Sequence, residues 1–408
     1  MIGAVGLTVV TAAIGQPLDW AMRGVTPAGV LLIAVVLMDL GAAHRDRLLL
    51  PLSGLLCVLS IVFLTRIDPS LAAHQLIVTV IGVFLMVALY FLMEDIRSLA
   101  RFKYLAGLSA IALLAATMLW GKEINGARLW LSIPPLVTLQ SMEVAKILMA
   151  IFLAGYVADY RHILRRNSRG RGSIQAPSLR ALAPLLLIVI FCLAIFVGQR
   201  DLGTAILFFG LFVIMFYLAT GQPAYAIEAV VLFAVGLALV YQLFPIVSVR
   251  VSSWLNPWAD PTGIGYQPLQ ALFCLSEGGI FGVGLGYLSV AKLPTAATDL
   301  ILAVIGQDLG LIGSLGVVII YALISVRGYS LAWQATDRFA SLLAVALATV
   351  FALQTLIIMG GLLRLIPLTS LATPFLSYGG TSIIINFLAI GLLLMVSRDC
   401  VPQPEKAR

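Results

Sequence analysis

The sequence predicts an all-α polytopic integral membrane protein, and three observations carry that prediction. The 408-residue chain is 61% hydrophobic and only 11% charged, where a soluble domain is about 45–50% apolar and about 25% charged. Its mean hydropathy is +1.08. Its apolar residues fall in long unbroken runs, not in the short alternating segments of a membrane barrel, and only helices and closed barrels satisfy every backbone group in lipid. A soluble enzyme, a disordered chain and a secreted disulfide scaffold are all excluded.

At about 20 apolar residues per crossing, twelve segments follow, near 1–15, 24–43, 48–65, 75–93, 101–119, 138–158, 179–197, 203–220, 223–244, 300–325, 338–362 and 380–398. The first is short and lacks the positive leader of a signal peptide. Loop charge orients the rest. The alternate loops 44–47, 94–103, 159–180 and 327–338, with the tail from Arg398, hold sixteen Lys and Arg; the other loops hold eight, and Lys146 lies within a span. The richer side is cytoplasmic, which puts both termini inside. The same bias accounts for the net charge of +7 without any nucleic-acid partner. Trp20, Trp120, Trp130, Trp254 and Trp258 fall at outer ends, as an interfacial aromatic belt requires, and only Trp333 lies inside.

Two loops stand apart. The basic loop 159–180 reads as a connector, or as a dock for anionic lipid. The outer loop 245–299 carries five prolines and the run GGIFGVGLG at 278–286, with aromatic residues and leucine throughout. Loops this long are functional or disordered; its apolar content predicts order, folded back on the outer face and partly re-entrant. Cys57, Cys192, Cys274 and Cys400 form no disulfide framework, and His44, His74 and His162, placed in three separate loops, form no zinc site.

Ionisable residues inside spans mark function by default. Glu143 and Lys146 lie three apart in segment 138–158 and so share one helix face. Arg200 and Asp201 sit between two spans at the outer surface. Asp299 opens the span after the long loop, and Asp308 lies nine residues deeper. Each also has a structural reading: Glu143–Lys146 as a neutralised packing pair, Asp308 as a paired acid, Asp299 as a helix cap beside Thr298. The clustering of Glu143, Lys146, Arg128, Asp201 and Asp299 on the outer half favours a water-filled outward cavity lined by both signs, suited to a phosphate-bearing substrate from the outer leaflet.

The stretches NGARLWL (125–131), QSMEVAK (140–146) and RDLGTA (200–205) resemble the SEDS family, the group of RodA, FtsW and the sporulation relatives. So do NPWADPTGIGYQ, GGIFGVGLG and LPTAATDLILAVIGQDLGLIG between Arg250 and Gly313, and PLTSLATPFLSYGGTSIIINF at 367–387. The matches keep family order over roughly 48–398. The resemblance implies a ten-helix core over 46–398, preceded by an amino-terminal membrane extension over 1–45 of one or two helices, as in RodA-like members that carry one, and followed by a cytoplasmic tail at 399–408. It also implies a peptidoglycan glycosyltransferase in the bacterial cytoplasmic membrane that polymerises lipid II into glycan strands on the outer face, for elongation or division. Its partner would be a class B penicillin-binding protein transpeptidase.

Carried over by motif, Asp299 is the essential catalytic acid residue, whose carboxylate would take the proton of the attacking sugar hydroxyl. Lys146, Glu143, Arg128, Asp201, Arg250, Gln267 and Asp308 line the cavity and bind substrate. A divalent cation, Mg²⁺ or Mn²⁺, would bridge the diphosphate, although no metal cage is visible in the sequence. The chain departs from the family pattern in three places. Pro294-Thr295-Ala296-Ala297 stands for Pro-Glu-Ala-His, Gln307–Asp308 for a Glu pair, and Gln140-Ser141-Met142-Glu143 for Gln-Pro-Ser-Glu. The competing function is a flippase for the same lipid-linked precursor. A flippase needs charges on a path to both faces, and a scaffold would lose the Asp–Lys–Arg set; charges kept on the outer half favour chemistry there.

Overall fold

The computed structural model describes residues 29, 33, 46–124, 127–133, 137–166, 179–243, 245–285 and 293–400. The segments predicted at 1–15 and 24–43 therefore lie outside the described residues, apart from Gly29 and Ile33, which are helical. The elements run α1 (Leu49–Ile67), α2 (Pro69–Leu92), α3 (Ser98–Arg101), α4 (Lys103–Trp120), β1 (Lys122–Ile124), β2 (Ala127–Ile133), β3 (Val137–Gln140), α5 (Ser141–Arg166), α6 (Leu179–Gly198), α7 (Leu202–Thr220), α8 (Pro223–Leu243), α9 (Pro245–Leu255), a 3₁₀ turn (Pro257–Ala259), α10 (Tyr266–Gly278), α11 (Ile301–Gln334), α12 (Arg338–Leu362) and α13 (Gly380–Asp399). Among the described residues nine helices are long and apolar enough to cross a membrane, and Leu182–Gly198 of α6 adds a shorter apolar stretch. Together they correspond to the ten segments predicted between 48 and 398.

Local chemistry sets several ends. Asp68 alone separates α1 from α2, and its carboxylate accepts the amide (2.8 Å) and hydroxyl (2.7 Å) of Ser70, with Pro69 at the first helical position. At the far end of α2, the Arg398 guanidinium donates to the carbonyls of Tyr90 (3.3 Å), Met93 (3.2 Å) and Glu94 (2.6 Å), satisfying acceptors the helix leaves open. Asp201 caps α7, and Gly221 ends it at φ 71.

The structure corrects the prediction in particular places. Segment 138–158 begins as strand: Val137–Gln140 pairs antiparallel with β2, which pairs antiparallel with β1. The all-α expectation thus holds for the membrane core, with a small sheet beside it. The outer loop 245–299 contains α9, the 3₁₀ turn and α10. The loop drawn at 327–338 is helical to Gln334. His74 lies within α2, and α5 continues to Arg166, so His162 is helical too.

The chain divides into two compact units, residues 1–94, 249–327 and 354–398 in one, and 95–248, 328–353 and 399–408 in the other. In the first, α2 and α13 cross closely. A Cβ at Gly82 would meet Phe387 Cδ2 at 2.8 Å, and one at Gly391 would meet Met86 Cγ at 3.1 Å. A buried Tyr321 hydroxyl of α11 donates to the Pro374 carbonyl. In the second, Phe152 of α5 packs at Gly107 of α4, Lys103 pairs with Asp159, and Phe209 of α7 stacks on Phe233 of α8 with ring centroids 4.1 Å apart. Helices α6, α7 and α8 enclose an apolar groove of about 560 Å³, lined by Leu186, Val197, Leu202, Phe209, Phe233 and Val240 among others.

One helix is broken. Gly310, at φ 67, interrupts α11. Around it the amides of Leu311 and Ile312 do not bond within the helix; they donate to the carbonyls of Gly279 (2.9 Å) and Ile280 (3.2 Å). The carbonyls of Gln307 and Asp308 accept instead from Val283 (3.0 Å) and Gly284 (3.0 Å). The segment 279–284 thus replaces two helical bonds with four of its own. A Cβ at Gly310 would stand 2.4 Å from the Gly282 nitrogen, and one at Gly282 would stand 2.1 Å from the Asp308 carbonyl oxygen, which is why GGIFGVG carries glycine there.

Candidate active site

In the second unit the charged set starts at the head of α5. Glu143 lies in its first turn, where the helix dipole favours an anion. Lys146 sits one turn on, its Nζ 2.6 Å from Glu143 Oε2, and the two side chains are 2% and 0% exposed. Asp201 is also buried. Its carboxylate accepts the Thr204 amide at 3.1 Å and the Thr204 hydroxyl. Thr204 Oγ1 also reaches Met142 Sδ at 2.9 Å, so the cap of α7 abuts the residue beside Glu143. The structure therefore pairs Glu143 with Lys146 and sets the Asp201–Thr204 cap of α7 against Met142 of the same helix α5. Arg128 is different: it stands exposed on β2, 3.3 Å from Glu123 Oε2, a solvent-screened pair of little energetic weight.

In the first unit Asp299 sits two residues before α11, half-buried, on the turn Thr295–Leu300. The Thr295 carbonyl accepts the amides of Thr298 (3.0 Å) and Leu300 (3.3 Å). Gln267 of α10 donates from Nε2 to Thr295 Oγ1 at 3.0 Å, so Gln267 joins the Asp299 turn through Thr295, one of the departures from the family pattern. Arg250 is half-buried on α9. Asp308 serves the break in α11: it pairs with Arg66 from the end of α1, their side chains 0% and 3% exposed. Beside it the buried Gln307 donates from Nε2 to Glu277 Oε2 at 2.7 Å.

Sequence reasoning missed Arg66 and Glu277, and singled out Gln307 only as a departure from the family pattern. The signal for the first was present, because Arg66 and Asp308 are opposite charges embedded in apolar runs, each in want of a partner. Among the described residues no three His, Cys, Asp or Glu side chains converge. Among the described residues there is thus no protein cage for a divalent cation.

Fold and site together define a polytopic helical membrane protein with a buried acid–base pair in each unit and, in the first unit, a half-buried carboxylate on a fixed turn. The chain belongs to the FtsW/RodA/SpoVE family of cell cycle proteins, whose model matches residues 46–400. It is 36% identical over 370 residues to the peptidoglycan glycosyltransferase RodA of Mycobacterium tuberculosis, covering 87% of this chain and 78% of that one. It is 31% identical over 332 residues to the stage V sporulation protein E of Bacillus subtilis, covering 80% and 87%. A solved chain described under the structural coordination of polymerization and crosslinking by a peptidoglycan synthase complex superposes with a TM-score of 0.70 at 26% identity, covering 88% of this chain and 99% of that one. The rod shape determining protein RodA of Thermus thermophilus shares the fold at a TM-score of 0.63 and 23% identity, covering 88% and 98%.

Proposed function

We propose that this chain is a peptidoglycan glycosyltransferase that polymerises lipid II on the outer face of the bacterial cytoplasmic membrane, with both termini cytoplasmic. Family membership and the curated relatives support the activity. The observation that carries the site is the carboxylate of Asp299, half-buried on a turn tied by backbone and side-chain bonds at Thr295.

In the reaction a sugar hydroxyl of one chain attacks the anomeric carbon of the other. The new carbon–oxygen bond forms as the bond from that carbon to the pyrophosphate oxygen breaks, and the electron pair leaves with the diphosphate. Asp299 takes the hydroxyl proton, a role for which a carboxylate within hydrogen-bond reach suffices. Charge develops on the leaving diphosphate, which fixed cations stabilise; Lys146, Arg250 and Arg128 are the candidates. Of these Lys146 is the most desolvated, so its charge is the least screened, whereas Arg128 is exposed. A Mg²⁺ or Mn²⁺ ion would arrive chelated by the diphosphate, as part of the substrate. The groove between α6, α7 and α8 offers the apolar surface that a polyprenyl tail requires. A class B penicillin-binding protein is the proposed partner, supported by the synthase complex to which the chain is similar.

The test is glycan-strand formation from labelled lipid II by the purified chain, with and without that partner, comparing wild type with Asp299→Ala. Polymer from wild type alone is expected. Polymer from both removes Asp299 from the chemistry. No polymer from either, with partner and divalent cation present, overturns the activity in favour of lipid transport, read next by scrambling in liposomes.

A further inference from the structure

The turn that carries Asp299 is clasped by a second loop of the same unit, Thr373–Gly379. The Tyr378 amide donates to the Ala297 carbonyl at 2.7 Å, and Ser377 Oγ donates to the Thr298 carbonyl at 2.5 Å. That second carbonyl belongs to the peptide joining Thr298 to Asp299. Because a peptide is planar, one hydroxyl thereby sets the plane from which the Asp299 side chain leaves the chain. The hydroxyl is itself fixed, since Ser377 Oγ accepts the Thr373 amide at 2.7 Å. Behind it stands Gln75 of α2, fully buried, whose Nε2 donates to the Ser377 carbonyl (3.0 Å) while its Oε1 accepts the Gly379 amide (3.3 Å). The Ser60 hydroxyl donates to the Leu376 carbonyl at 2.6 Å.

Both interlocked loops hold a non-glycine residue in left-handed conformation, Thr295 at φ 53 and Phe375 at φ 63. Such backbone persists only where its surroundings over-determine it, and it collects at sites whose geometry is functional. The bonds converge on the backbone of the turn and spend themselves on its direction.

We propose that Ser377, held in place by Gln75, is the positioning residue for the Asp299 carboxylate, acting through the Thr298–Asp299 peptide. This rests on the reading of Asp299 as the base.

The experiment uses the full chain with its partner and compares wild type with Ser377→Ala, Ser377→Thr, Gln75→Leu and Asp299→Ala. Intact sites are counted with a lipid II analogue whose acceptor hydroxyl is blocked, and kcat per site and KM are then measured with lipid II. Ser377→Ala is expected to bind the analogue at full stoichiometry and to keep KM within about threefold, while kcat per site falls about ten- to a hundredfold, the scale of a small misplacement of a reacting group. Ser377→Thr, which keeps the hydroxyl, restores most of that loss, and Gln75→Leu lowers kcat in the same direction. The proposal is overturned if kcat per site in Ser377→Ala equals wild type, if its loss is entirely a loss of binding sites, or if a folded Ser377→Thr does no better than Ser377→Ala. Should Ser377→Ala fail to fold, the same split in Gln75→Leu decides. Polymer from Asp299→Ala overturns the underlying reading of Asp299 instead, whatever Ser377→Ala does.

Discussion

At the scale of single residues, Arg66 and Asp308 are 3% and 0% exposed in their side chains, so each is tolerated only because of the other. Removing one partner of a buried pair strands a desolvated charge and costs about 3–5 kcal/mol, whereas an apolar pair of similar volume is often neutral. Arg66→Met is therefore expected to lower the melting temperature sharply in detergent, and Arg66→Met combined with Asp308→Leu to recover most of the loss. Glu143–Lys146 separates structure from chemistry in another way. If Lys146 stabilises the departing diphosphate, Lys146→Met lowers kcat/KM by roughly 10²–10³, the effect of removing one preorganised electrostatic contact, at near-normal binding of a lipid II analogue. A pure packing role would show as lost stability with unchanged kcat per site. Much of this was legible in the sequence, because a charge in an apolar run announces itself, and Glu143, Lys146, Asp299 and Asp308 were all found so. Gln75 and Ser377 were not, since a neutral polar residue carries no such signal, whether in a span as Gln75 is or in a loop as Ser377 is. Their importance lies in partners 302 and 79 positions away in sequence.

At the scale of elements, the break in α11 depends on a backbone region open only to glycine. Gly310→Ala adds a Cβ 2.4 Å from the Gly282 nitrogen and Ile280 carbonyl oxygen at a φ of 67; strain of this kind costs about 1–3 kcal/mol and is expected as a lowered melting temperature. The start of α2 predicts a pH dependence. The Ser70 hydroxyl, followed by its amide, holds the Asp68 carboxyl below its ordinary value. A depressed folded value contributes stability that is fully present above the unfolded carboxylate value of about 4 and is lost as pH falls through the folded one. The melting-temperature difference between wild type and Asp68→Ala should therefore be constant near neutrality and close in acid. The ten core spans were legible because each carries an unbroken apolar run of about the length of a crossing. The sheet at 122–140 was not: its strands are three, seven and four residues long, too short for periodicity to register beside the helix that follows. The two helices inside 245–299 were masked by prolines, which the structure uses at the beginnings of α9 and the 3₁₀ turn.

At the scale of the whole molecule, orientation follows from loop charge alone. A cysteine placed at Asp260, which caps exposed amides of its own turn, should label from outside intact spheroplasts, and a tag after Cys400 only after permeabilisation; the reverse pattern would invert the topology on which an outward-facing Asp299 depends. Hydropathy conveyed that the chain crosses the membrane many times, but it is blind to where a crossing stops being a helix. At Gly310 that blindness has a use. The amides of Leu311 and Ile312 are closed by the carbonyls of Gly279 and Ile280, so their exchange with deuterated water tracks the docking of a loop from within a transmembrane helix. Two slow amides that quicken together when 279–284 lets go would form a built-in gauge, readable without any label, of whether the outer loop is seated during each turn of the synthetic cycle.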